Sequence, residues 1–159
     1  MKQKIICIGK LKEKYLSDGC AEYIKRLSAY QSTEISELSE VRVYEENSAA
    51  QINSAKEKEG NNILSKIKDN DYVIVLCIEG NMYDSIEFSN MLGDIIQKIR
   101  GDIIFVIGGS YGLSDKVIKR ADLKISFSKF TFPHQLMRFI LLEQIYRAYK
   151  IKNNEKYHK

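Results

Sequence analysis

Two runs along the chain are apolar without interruption, Tyr72-Val73-Ile74-Val75-Leu76-Cys77-Ile78 and Ile103-Ile104-Phe105-Val106-Ile107. An unbroken apolar strand, unlike an alternating one, has to be covered on both faces, which is the situation of a central strand in a parallel sheet. Between the two runs, Asp84 and Glu87 stand at capping-box spacing ahead of Ile86, Met91, Leu92, Ile95, Ile96 and Ile99, so the pattern predicts a helix from Asp84 to about Ile99. Strand, helix and strand make the unit of a layered α/β fold.

The rest of the chain continues that alternation. Lys4 to Ile8 reads as a first strand ended by Gly9, and Lys12 to Tyr30 carries Leu16, Cys20, Tyr23, Ile24 and Leu27 at the three-and-four spacing of one helical face. Ile35, Leu38, Val41 and Val43 fit a second strand within Thr33 to Val43. Ser54 with Glu57 forms a box that opens a helix through about Lys68, on which Lys56, Glu57, Lys58 and Glu59 read as surface decoration. The strand from Tyr72 is expected to end at the turn Glu79-Gly80-Asn81. Past the turn Gly108-Gly109-Ser110-Tyr111-Gly112, Ser114 can cap a short helix to Arg120, and Leu123 to Phe127 is an alternating strand. Pro133 suits the first turn of a helix reaching about Lys152, since its missing N–H would have no partner there. Five strand candidates alternating with helices predict an α/β domain; the pattern does not give their order.

Size and composition narrow the picture a little. A chain of 159 residues with one proline and no low-complexity tract is expected to form a single domain, residues 1–159. A net charge of +4 permits a phosphate-bearing partner without requiring one. Cys7, Cys20 and Cys77 are odd in number and far apart, and two of them sit inside strand patterns, so they read as reduced structural residues of a cytoplasmic protein. The opening Met1 to Ile8 has too short an apolar run to be a signal peptide or a membrane span.

The common catalytic signatures are missing: no GxGxxG, no phosphate loop, no HExxH, and no cysteine–histidine cluster, so no metal is expected. Ser110 lies outside a GxSxG elbow. Adjacent glycines just beyond a buried strand let backbone approach a ligand at the carboxyl end of the sheet, which points to a nucleotide-like ligand. Lys10, Lys12 and Lys14 crowd the entrance of the first helix, either as a solvated face or because an anion sits nearby. The last helix is apolar nearly all round from Leu136 to Leu142, which calls for a second packing partner, most simply another copy of the chain. Glu143 and Arg147 stand four apart, as in a structural ion pair, and the tail ends on Tyr157, His158 and Lys159: a stacking ring, a titratable donor and a phosphate contact.

Four separated segments resemble a known family. Phe105 to Gly112, Ser126 to Arg138, Glu143 to Ala148 and Tyr157-His158-Lys159, with support from Ile8 to Lys12 and Tyr23 to Leu27, are similar to the ribosomal RNA large subunit methyltransferase H family, a small branch of the SPOUT superfamily. The resemblance runs over the whole chain. It implies a SPOUT-type, mostly parallel sheet flanked by helices, with a C-terminal trefoil knot over about residues 103–152 and a tail at 153–159. It implies a homodimer in which one subunit's tail completes the other's pocket, and the methylation of N3 of a pseudouridine in helix 69 of 23S rRNA within the assembled 70S ribosome. S-adenosylmethionine would be held by Leu76, Gly108, Phe127, Ser128, Lys129, Phe130, Thr131 and Phe132. Glu143, Arg147, Tyr157 and His158 would form the catalytic group, with Arg138 and Lys159 contacting RNA. Lys129-Phe130 departs from the family loop, which usually has a small or hydrophobic residue followed by methionine or leucine. The alternatives are a ribosome- or RNA-binding protein without catalysis, or a doubly wound protein that binds another nucleotide or flavin.

Overall fold

The computed structural model describes residues 1–158. The elements are β1 (Gln3–Ile8), α1 (Lys14–Leu27), β2 (Thr33–Leu38), α2 (Ala49–Leu64), β3 (Tyr72–Met82), α3 (Ser85–Lys98), β4 (Ile103–Ile107), α4 (Asp115–Arg120), β5 (Leu123–Ser126) and α5 (His134–Lys152). They form one five-stranded sheet in the order β2-β1-β4-β3-β5, every neighbouring pair parallel. Because successive side chains of a strand point to opposite faces, the unbroken apolar runs feed two cores. Ile5, Cys7, Ile74, Ile103, Phe105 and Ile107 meet α1, α3 and α5 on one face, while Ile6, Ile8, Val73, Val75, Ile104 and Val106 meet α2 and α4 on the other.

Strand β2 ends at Leu38, so Val41 and Val43 lie in the loop beyond it, and α2 ends at Leu64 rather than near Lys68; three further boundaries differ from expectation for local reasons. Helix α2 starts five residues before Ser54, because Ser48 accepts a hydrogen bond from the Gln51 N–H at 3.3 Å and the Gln51 side chain reaches back to the N–H groups of Tyr44 and Glu45. Ser54 is therefore mid-helix, and Glu59, expected on the surface, is only 7% exposed. Strand β3 does not stop at Glu79: it bulges between Leu76 and Asn81 and stays paired with β5 to Met82. Gly80 permits this, since a Cβ there would lie 2.4 Å from the Ile125 carbonyl carbon. Past Leu76 the strand has outrun β4, which ends at Ile107, and Ile78 is 61% exposed, so coverage on both faces holds for Val73 to Val75 alone. Pro133 occupies the N-cap position of α5, one residue before the first turn. The Asp84–Glu87 capping box forms as expected.

Candidate functional site

All strands being parallel, their carboxyl ends share one edge of the sheet, and the loops that leave that edge build a cavity of about 1040 Å³. Leu76 and Cys77 of β3, Gly108 to Leu113 after β4, and Ser126 to His134 between β5 and α5, apart from Lys129, border it, and Met137 of α5 adds to the wall. The glycine turn has to be bare. A Cβ on Gly108 would stand 3.0 Å from the Gly112 carbonyl carbon, one on Gly109 would stand 2.9 Å from Ile8 Cγ2, and Gly112 holds φ +80°. Beneath the turn, Glu59 accepts the Val41 N–H at 2.8 Å, and burial raises its carboxyl above the usual range. Ser110, which resembles no nucleophile elbow, donates to Glu40 at 2.9 Å. On the far loop, Ser128 Oγ accepts the Phe130 N–H at 3.0 Å and Ser126 Oγ donates to the Ser128 carbonyl. That local bonding leaves Phe130 79% exposed at the rim.

Seven of the eight positions expected at the cofactor thus border the cavity; Lys129 does not. The cavity suits a nucleoside with an apolar arm: Leu76, Ile107, Phe132 and Met137 offer apolar surface, and the backbone of two loops supplies the polar groups. Sequence reasoning passed over Ile107, Met137 and His134 as lining residues. His134 stands against the end of β1, its Nε2 being 3.4 Å from where a Gly9 Cβ would lie.

A second constellation forms at the C-terminal end of α5. Arg147 donates to Glu143 Oε1 through Nε at 3.0 Å and Nη2 at 2.6 Å, an arrangement that raises the guanidinium further above its ordinary range. Tyr157 donates to the same Glu143 oxygen at 3.1 Å, lies 3.3 Å from the Tyr23 hydroxyl, and packs edge-on against Tyr146. The Arg147 guanidinium sits 4.7 Å from the Tyr157 ring centre, and burial raises the phenol's pKa. Arg147 Nη1 is 3.4 Å from His158 Nδ1. A guanidinium can only donate, so Nδ1 accepts and a neutral His158 carries its proton on Nε2. The tail is held further by Glu155, which accepts from Lys150 and Tyr30. The four expected catalytic residues are therefore neighbours, yet none of them borders the cavity. The seat supplied by Tyr23 and Tyr146 is a finding of the structure; Tyr23 lies on a helical face that the sequence reads simply as core.

Arg138 is not where an RNA contact could be. It is 1% exposed, ion-paired with Glu37, and donates to the Gly9 carbonyl at 3.1 Å. A guanidinium so enclosed cannot reach a phosphate, which corrects the expectation for that residue. Lys159 lies outside the described residues.

Comparison with known proteins follows the same outline. The family described as "Predicted SPOUT methyltransferase" matches residues 1–158. The ribosomal RNA large subunit methyltransferase H of Streptococcus uberis is 54% identical over 159 residues, spanning 100% of both chains. Among solved structures, a probable methylase family protein from Haemophilus influenzae aligns with a TM-score of 0.57 at 15% identity, over 99% of this chain and 70% of its own. A putative methyltransferase from Legionella pneumophila, solved in complex with the bound cofactor SAM, aligns with a TM-score of 0.50 at 12% identity, over 94% of this chain and 66% of its own. The chain belongs to the SPOUT methyltransferase family and, within it, to the group of the ribosomal RNA large subunit methyltransferases H.

Proposed function

We propose that the protein is an S-adenosylmethionine-dependent methyltransferase of 23S rRNA, acting on N3 of a pseudouridine in helix 69 of the assembled ribosome in the cytoplasm. The observation that carries this is the cavity whose border unites Leu76, Gly108 and the 127–132 loop apart from Lys129, in a chain matched from end to end by a ribosomal RNA methyltransferase. When bound, S-adenosylmethionine supplies an electrophilic methyl group on a positively charged sulfur. The chain's part is to hold the acceptor nitrogen in line with it and to stabilise the negative charge left on the base when the N3 proton passes to solvent. Arg147, oriented by Glu143, stabilises the deprotonated base, Tyr157 packs against the nucleotide, and His158 offers it the Nε2–H hydrogen bond that its contact with Arg147 selects.

This assignment requires two copies. The Glu143–Arg147–Tyr157–His158 group lies away from its own chain's cavity, which favours a homodimer in which the tail of one subunit closes the pocket of its partner. The incompletely covered stripe Leu136, Ile140, Glu143 and Arg147 along α5 is the surface for that contact. The chain acts as one unit, with residues 103–152 threaded in the trefoil knot of the family. Purified protein, labelled S-adenosylmethionine and ribosomes lacking the modification test the reading: label is expected on one nucleotide of the large-subunit RNA, and more weakly or not at all with naked 23S RNA. No label on either substrate would overturn it.

A further inference from the structure

Three backbone groups of the loop after β1 are gripped from outside. The Gly9 carbonyl accepts from Arg138 Nη2 at 3.1 Å, the Leu11 N–H donates to Glu37 Oε1 at 3.2 Å, and the Lys12 N–H donates to Gln135 Oε1 at 2.9 Å. Arg138 and Glu37 are themselves ion-paired, so the loop 9–12, the end of β2 and the first turns of α5 form one clasp. Side chain and backbone are treated in opposite ways here. While the backbone is fixed, the Lys10 and Lys12 ammonium groups project into solvent and take part in no ion pair among the described residues; Lys14, next along, is engaged by Asp18. An exposed loop is normally free to move with its charges. A clasp built on a buried arginine to hold a loop whose only outward groups are two lysines needs another explanation.

The position of the loop supplies one. Strands β1 and β4 run side by side in parallel with Cys7 opposite Ile107, so the chain leaves β1 beside the glycine turn that borders the cavity. Two of the residues that grip the loop, Gln135 and Arg138, belong to the same turns of α5 that wall the cavity through His134 and Met137. We infer that Lys10 and Lys12 form a phosphate-docking edge beside the methyl-transfer pocket, which engages the RNA backbone flanking the target nucleotide. This rests on the function proposed above and assigns Arg138 a positioning role: it buttresses the RNA contact from inside the protein. Two ammonium groups at a fixed place contribute register as well as attraction, as backbone contacts do in nucleic-acid recognition.

The test uses a charge-matched control. Lys10→Gln/Lys12→Gln and Lys58→Gln/Lys66→Gln each remove two positive charges; Lys58 and Lys66 are exposed on and just after α2, which packs on the opposite face of the sheet. For the first variant, ribosome affinity is expected to fall about tenfold at moderate salt. The slope of log affinity against log salt is expected to shrink by about 1.4 to 1.8, the loss of two phosphate contacts. S-adenosylmethionine affinity and the rate at saturating ribosomes should stay at wild-type values, Lys10→Arg/Lys12→Arg should behave as wild type, and the α2 variant should change neither affinity nor slope. Equal effects from the two glutamine variants, or an unchanged slope in the first, would overturn the docking edge. If the wild-type protein binds ribosomes but transfers no methyl group, the enzymatic reading fails while the salt slopes still decide the lysine contact.

Discussion

The cavity at the sheet edge and the cluster around Arg147 are both built from loop and helix-end residues, but by opposite means. The cavity is hollow because its framework is backbone: bare glycines after β4 and a serine-braced turn after β5 hold the loops apart. The cluster is closed because its side chains satisfy one another, Glu143 alone receiving Arg147 and Tyr157. A region held by backbone is prepared for a ligand that brings its own apolar and polar groups. A region whose charged groups are already paired is prepared to act as a preset unit on something delivered to it. Under the proposed function neither region alone would make a catalytic site, and the contrast gives two variants that should fail for different reasons.

Gly108→Val should break the first region. Its Cβ and branches would be pressed against the Gly112 backbone and the Leu113 side chain, which a Cβ alone meets at 3.0 and 3.1 Å. Moving the turn aside should lower S-adenosylmethionine affinity by about 10- to 100-fold, the equivalent of a 1–3 kcal/mol overpacking cost. Calorimetric titration reads this, with an unchanged solution mass as the control for folding. Arg147→Ala should break the second region: cofactor affinity is retained and the rate of methyl transfer falls by about a hundredfold or more, the scale of losing a charge-stabilising donor. Mixing the two variants, at a cofactor concentration that fills the wild-type pocket but not the Gly108→Val one, sharpens the comparison. With random exchange, half of the dimers carry one intact pocket facing one intact tail, so activity should return to about a quarter of the wild-type level. No recovery after demonstrated exchange would mean that pocket and tail do not meet across a dimer.

The pocket was more legible in the sequence than the cluster, and the reason is physical. Backbone-built features have to be written in glycine at set places, so Gly108 and Gly109 stand out, while the Phe127 to Phe132 loop is singled out only through the family resemblance. The unbroken runs at Tyr72 and Ile103 likewise betrayed a parallel sheet, because burial on both faces leaves no room for polar residues. Pairing across the sheet leaves no such mark; the order β2-β1-β4-β3-β5 depends on which strand each crossover reaches. Arg138 misled for the opposite reason. A charged residue in a helix reads as exposed until the structure shows Glu37 and the Gly9 carbonyl closing on it. Glu59 was hidden in the same way, within a run of charges of which it alone is buried.

The smallest expected effect concerns the anchor between the two regions. Tyr149 lies in the core on α5, one turn from the Glu143–Arg147 pair, and its hydroxyl accepts a hydrogen bond from the buried Gln3 side chain of β1 at 2.8 Å. Burial pushes this phenol up from 10.0 to about 12. A group whose folded-state pKa is raised contributes stability that is complete below the unfolded pKa and lost as pH rises through the folded one, because the unfolded chain ionises first and the folded one must follow. Between pH 10 and about 12 the wild-type protein should therefore lose stability, by at most about 1.4 kcal/mol per pH unit from this residue. The buried Cys7 thiol, pushed up to about 12, adds a similar loss beginning near pH 9. Tyr149→Phe leaves the Gln3 amide without its acceptor and should cost about 1–3 kcal/mol at neutral pH. It removes the phenol's titration but not that of Cys7, so the thiol contribution cancels in the difference. Urea unfolding across this range should show the gap between the two proteins narrowing above pH 10, while cofactor affinity at neutral pH is unchanged because Tyr149 does not border the cavity. A gap that stayed constant to pH 12 would mean that the phenol is hydrated in the folded state and that α5 is anchored to β1 by packing alone.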